Sequence, residues 1–176
     1  MKKYIIALFV VIMYSASASA QRLAYVDSGY ILKHIPDYKS AQKQLDNISS
    51  VWQKEIDAKF QEVEKMYKSY QADQVLLSEE MRKRRENEII DKEKAVKDFQ
   101  KLKFGFEGDL FKERVKLIKP IQDRVAATIK EYAETEDLDM IFDKSAGVTL
   151  LFGRPTYDKS NDIITKLGYK AGTIAK

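Results

Sequence analysis

The chain has 176 residues, and its 31 basic and 27 acidic side chains are too nearly balanced for a bulk nucleic-acid binder. It has no cysteine, which excludes a lipidated cysteine, a disulfide framework and thiolate chemistry. One residue in three is charged and there are only seven glycines and three prolines, a composition that favours helix over disorder or a β-rich fold.

The predicted elements begin with a leader. Lys2 and Lys3 precede an apolar run from Tyr4 to Tyr14, and the segment then ends on Ala18-Ser19-Ala20. A positive flank, an apolar stretch too short to span a bilayer and a small-residue ending describe a secretory signal peptide cleaved after Ala20. A retained membrane anchor would need roughly 18 or more apolar residues. The mature chain is thus expected to be exported, to begin at Gln21 and to be soluble.

Leu23-Ala-Tyr-Val26 reads as a strand, and a short helix from Gly29 to His34 leads to Pro36. From Pro36 to Gly105 neither glycine nor proline interrupts the chain. Apolar residues recur there at Tyr38, Ala41, Leu45, Ile48, Trp52, Ile56, Phe60, Val63, Tyr67 and Tyr70, close to a heptad and slackening between Ile48 and Phe60. That is a coiled-coil seam, with an ordinary amphipathic bundle helix as the alternative. A second, less regular seam includes Ile89, Val96, Phe99, Leu110, Ile118 and Val125.

Periodicity alone does not decide whether one helix or two carry these seams. A turn near 72–78 is favoured by Ser78 as an N-cap, by Glu79 and Glu80 in the first turn after it, and by the consecutive apolar run Val75-Leu76-Leu77. One unbroken helix would be on the order of 145 Å long at roughly 1.5 Å per residue, and it would strand the first β-segment far from the others. Gly105 and Gly108 weaken the second helix, since each interior glycine costs about 1 kcal/mol against alanine. They suggest a hinge, with close helix packing as the alternative. Pro120 should kink or interrupt the helix where arm meets body.

Beyond it, Met140-Ile-Phe142 and Val148-Thr-Leu-Leu-Phe152 read as two strands of a hairpin turning at Lys144–Gly147. Asp158 and Ser160 are placed to cap a last helix that Gly168 stops. The predicted fold class is α+β, mostly α: a long antiparallel coiled-coil hairpin projecting from a small β-rich body. The divisions are leader 1–20, body 21–36, arm 37–119 and body 120–176. A core so small predicts stabilisation by oligomerising.

Parts for catalysis are missing. The single histidine, His34, is read as a surface or capping residue, and no phosphate-cradling loop follows a strand. No catalytic residue, metal ligand or cofactor is expected. Two features suggest binding instead. Arg82-Lys83-Arg84-Arg85 is a basic cluster, either a solubilising face or a contact for anionic lipid or lipopolysaccharide. Val75, Leu76 and Leu77 either pack across the turn or grip an unfolded chain, a grip that Tyr67, Tyr70, Phe99, Phe104 and Phe106 would extend.

Taken in order, Leu23-Ala-Tyr-Val-Asp-Ser28, Ile35-Pro-Asp-Tyr38, Ile118-Lys-Pro-Ile121, Leu138-Asp-Met-Ile-Phe-Asp-Lys144 and Tyr157-Asp-Lys-Ser160 resemble the Skp/OmpH-like periplasmic chaperones. The likeness runs from about Leu23 to Leu167. It implies a periplasmic homotrimer whose arms surround a cavity for unfolded outer-membrane proteins, working without nucleotide. Leu23, Tyr25, Ile141, Phe142, Leu150 and Phe152 would then lie in the trimeric body. The glycines at 105 and 108 depart from the better-known pattern, and the weak net charge argues against strong electrostatic capture. Two rival readings are a structural coiled-coil spacer of the envelope and an envelope lipid or lipopolysaccharide binder.

Overall fold

A computed structural model describes residues 21–147 and 149–172; the expected leader and Val148 lie outside the described residues. The elements are β1 (Leu23–Val26), α1 (Ser28–Lys33), α2 (Pro36–Asp73), a 3-10 turn (Gln74–Leu76), α3 (Glu79–Phe104), α4 (Asp109–Thr135), β2 (Met140–Asp143), a second 3-10 turn (Pro155–Tyr157) and α5 (Ser160–Lys166). The chain divides into two compact units, one running Leu32–Arg124 and the other made of the described residues before and after it. The fold is α+β and mostly helical, with a small two-stranded sheet.

In the Leu32–Arg124 unit, α2 and α3 form an antiparallel pair. Their contacts run in opposite directions along the chain: Tyr70 with Glu86, Glu62 with Lys92, Lys59 with Phe99 and Trp52 with Phe104. Ala41, Leu45, Ile56 and Tyr70 on α2 and Ile89 and Val96 on α3 are buried, at heptad-related spacings. Most of the rest of both surfaces is charged and laced with i,i+4 pairs such as Glu64–Lys68 and Glu93–Lys97, with Val51 and Ile90 among the apolar exceptions. Pro36 opens α2 at a position where its missing N–H costs nothing. Ser78 caps α3 by accepting from the Met81 N–H at 3.3 Å.

Two expectations for the second helix are corrected. The glycines do not lie inside a helix: α3 ends at Phe104 and α4 begins at Asp109, so residues 105–108 form a joint. Pro120 lies within α4 and does not interrupt it. A proline removes a single hydrogen bond to the carbonyl four residues back, and here its ring is exposed. His34 is likewise not a surface residue but is 3% exposed, because the chain tucks it inward at the turn between α1 and α2.

In the other unit, β1 and β2 pair in parallel, Leu23 with Met140 through Val26 with Asp143. Ala24 and Val26 face inward and, with Ile31, Val125, Ile163 and Ile164, supply this unit's buried apolar side chains. Tyr25 makes an isolated parallel bridge to Asp158 on the other edge of β1. The predicted hairpin does not form. Residues 149–154 are irregular, and the backbone at Gly153 is laid across the ring of Tyr25 so closely that a β-carbon there would come within 2.5 Å of it. The Tyr25 hydroxyl donates to the Gly153 carbonyl at 3.4 Å. This segment therefore binds the sheet through a side chain rather than through backbone pairing.

A carboxylate network joins the segments of this unit. Asp158 accepts from the Ser160 N–H and hydroxyl at 3.0 and 2.6 Å and from Lys144 at 3.2 Å, while Ser160 Oγ accepts from the Asp27 N–H at 2.8 Å. Asp143 accepts from the backbone N–H groups of Ser28 and Ser145. Burial raises both carboxyls, but these donors outweigh it and hold Asp143 and Asp158 below the usual carboxylate range. Burial and the neighbouring Asp162 carboxylate push the Tyr132 phenol up to about 12, and its hydroxyl ties α4 to α5 at 2.9 Å. Gly168, at φ +86°, ends α5 in the left-handed conformation that glycine adopts most easily.

Candidate functional site

No group of side chains suited to hold a metal occurs among the described residues, and the candidate sites considered are surfaces. Among the described residues, three places group exposed apolar side chains of the kind that a soluble protein would normally cover.

The first is the turn between α2 and α3. Val75 and Leu76 are each 86% exposed, while Leu77 is half-buried. The two do not pack across the turn, because the 3-10 geometry of residues 74–76 directs them outward. The basic cluster begins beside them. Arg82 is partly spent on the turn itself, its Nε donating to the Leu77 carbonyl at 3.2 Å, whereas Lys83 and Arg84 are exposed. Tyr70 does not join this surface. It is buried, and its hydroxyl donates to Glu86 across the pair, which lifts the phenol above its ordinary value. It serves the seam rather than a grip. Tyr67, one residue of the expected seam, is instead half-exposed.

The second place is the joint. Phe106 is 99% exposed, and Leu102, Phe111 and Val115 on the flanking turns are also exposed. Phe99 and Phe104 are half-buried, the latter meeting Trp52 edge to face at 6.3 Å between ring centres. Glu107 sits at φ +53°, a left-handed conformation unusual for a residue with a β-carbon. Sequence reasoning missed Lys103 and Asp109, which pair across the joint at 2.7 Å. Their opposite charges six residues apart, flanking two glycines, are the signal that was there to be read.

The third place is the outer face of the β1–β2 pair. Leu23 and Met140 lie side by side on it, as do Tyr25 and Phe142. A hollow of about 320 Å³ is lined by Leu23, Tyr25, Phe142, Leu150, Phe152 and Tyr157. Leu151 and Phe152, at 92% and 80% exposed, extend the face into solvent. Ile141 is not part of it. Its register with Ala24 puts it on the inward side of the sheet, because strand side chains alternate. Sequence reasoning overlooked Met140, Leu151 and Tyr157, since exposed apolar residues look the same in sequence as core residues.

No helix among the described residues is long and apolar enough to cross a membrane. Comparison with known proteins gives two positive findings. A family model described as outer membrane protein (OmpH-like) matches residues 22–167. The fold is similar to a crystal structure from Caulobacter crescentus CB15 of a candidate outer membrane chaperone (OmpH-like), with TM-score 0.66 and 11% identity over 91% of this chain and 92% of that one. No curated protein sequence matches.

Proposed function

Since the chain belongs to the OmpH-like outer membrane protein family, we propose that it is an ATP-independent holdase of the periplasm, exported by its leader. It keeps unfolded outer-membrane proteins soluble between the arms of an assembled homotrimer until they are delivered. The observation that carries this reading is a heavily charged helical pair, with its own seam satisfied, that still presents Val75, Leu76 and Phe106 almost wholly to solvent. Clients with no common sequence are held best by a few adaptable apolar contacts, each weak enough to let go. The family chaperone reading also supports outer-membrane proteins as clients. No residue acts chemically; confinement and weak contacts suffice, and tighter folding or binding downstream drives release.

The outer face of the β1–β2 pair supports the assembly part of the proposal. Parallel strands are normally covered on both faces, and here one apolar face is left open in a single chain. Copies of the same face would cover one another.

Light scattering tests the function. The mature chain should suppress aggregation of an outer-membrane barrel protein diluted from urea. Replacing Val75, Leu76 and Phe106 together by serine should raise the concentration needed about tenfold, because even partial burial of three such side chains is worth on the order of 1.4 kcal/mol. A folded chain that leaves aggregation unchanged would favour the spacer reading.

Exposed Lys83 and Arg84 beside Val75 and Leu76 support a second reading, contact with anionic lipid or lipopolysaccharide. Because Arg82 also holds the turn, the informative variant is Lys83→Gln with Arg84→Gln. It should weaken binding to anionic vesicles about fivefold at low salt, at roughly 1 kcal/mol or less per cation near an anionic surface. Unchanged binding removes this reading.

A further inference from the structure

We propose that the joint at 105–108 is a locked elbow rather than a free hinge, and that Lys103 is its lock. In the α2–α3 pair the break occurs in one strand only. The α2 helix runs unbroken past it, with Trp52 facing Phe104 at the level where α3 ends. A two-glycine break opposite a continuous helix would swing freely unless something tied its two sides together.

Lys103 is that tie. Its Nζ lies 2.7 Å from Asp109 Oδ2 at the first turn of α4, 4.6 Å from the centre of the Trp52 ring on α2 and 5.4 Å from that of Phe99 on its own helix. One ammonium thus meets all three helices. The side chain is 18% exposed, and its ammonium is held jointly by the carboxylate and the ring faces. Asp109 is held from the other side as well. It occupies the first turn of α4, where the helix dipole favours an anion, and Lys112 approaches it to 3.7 Å. Swinging α4 outward would pull Asp109 from Lys103 and leave a charge over two aromatic rings without its counter-ion.

The backbone of the joint is committed to the same setting. A β-carbon at Gly105 would lie 2.3 Å from the Lys101 carbonyl oxygen, and one at Gly108 would lie 2.8 Å from that of Leu102. With Glu107 left-handed between them, the loop has one tight conformation, and straightening it means rebuilding it. The glycines here make room for a turn; they do not confer looseness. The elbow sets the shape of the arm whether or not the arm carries a client, so its test needs no client.

The chain lacks cysteine, so Lys94→Cys on α3 and Lys116→Cys on α4 can carry a spin-label pair across the joint in the full-length mature protein. The native pair should give a single narrow distance distribution. Lys103→Met keeps an apolar stem over Trp52 but removes the charge, and Asp109→Asn keeps the cation and removes its partner. Each should widen the distribution about twofold or more, as a local opening does when it loses its restraint. The emission of Trp52, the only tryptophan, should shift when Lys103 is replaced. A native distribution that is already broad overturns the lock, as does an unchanged width in both variants when circular dichroism shows their helices intact. Because no client is present, neither result depends on whether the protein is a holdase.

Discussion

A chain carrying Phe142→Asp and Phe152→Asp should sediment as a monomer at micromolar concentration where the native chain assembles as proposed, with its helix content unchanged. Both rings sit at the hollow on the outer face of the strand pair, and they are 42% and 80% exposed in the single chain. Neither is needed to fill the core, so the isolated chain tolerates a carboxylate at either site. At an interface between copies the balance is different. Covering Phe152 wholly returns about 1.5–3 kcal/mol, and covering Phe142, already half-buried in the single chain, returns less; a buried carboxylate without a partner costs several kcal/mol more. Every copy in a closed assembly carries the defect, so the penalties multiply. Light scattering coupled to gel filtration reads the mass directly. If the double variant remains assembled, this face is not the contact, and the parallel strand pair must be covered by other means.

Replacing Ile163 by alanine should lower the unfolding free energy of its unit by about 2–5 kcal/mol, the range for emptying a buried isoleucine site. Ile163 is wholly buried, and Ile31, Ile164 and Val26 are the other large side chains of this unit exposed by less than 2%. Four strand residues a side add little backbone pairing. A core of so few members cannot close around the missing methyl groups, so the cost should fall at the upper end. Chemical denaturation followed by near-ultraviolet circular dichroism measures it. A loss below 1 kcal/mol would mean that the structure rearranges to refill the space. The corresponding change at Ile56 in the α2–α3 pair should be milder, because seam contacts there are repeated along the rod.

The helical part of this fold was legible in the sequence because its signals are local. The heptad spacing located the buried residues Ala41, Leu45, Ile56 and Tyr70, and Ser78 with its two following glutamates marked the start of α3. The slackened steps from Ile48 to Phe60 fall opposite the joint, where Trp52 leaves the regular seam to meet Phe104 and Lys103. Gly168 marked the end of the last helix for an equally local reason, whereas its N-cap is Lys159 rather than the expected Asp158 or Ser160. What failed was non-local. Val148 to Phe152 has the composition of a strand, yet Leu150, Leu151 and Phe152 are apolar on the surface, and no local rule separates those two causes. Pro120 was expected to kink or interrupt its helix, and it does not interrupt it. His34 is buried by the course of the chain around it, which one residue type cannot reveal. Of the candidate sites, the apolar turn was visible as an anomaly in the pattern, and the Lys103 contacts were not, because they join three helices.

The parallel pairing of β1 and β2 also constrains how the protein is made. Arg22 and Asp139, which clasp the start of that ladder at 2.7 Å, are 117 residues apart in the chain. The first strand to leave a ribosome must therefore wait, unpartnered, until most of the polypeptide has followed. Such long-range closure is slow when the intervening chain is loose, and it becomes easier once that chain has stiffened into helices that turn back. Slowing the formation of these helices should prolong the interval in which Leu23 and Tyr25 lie open to misassociation.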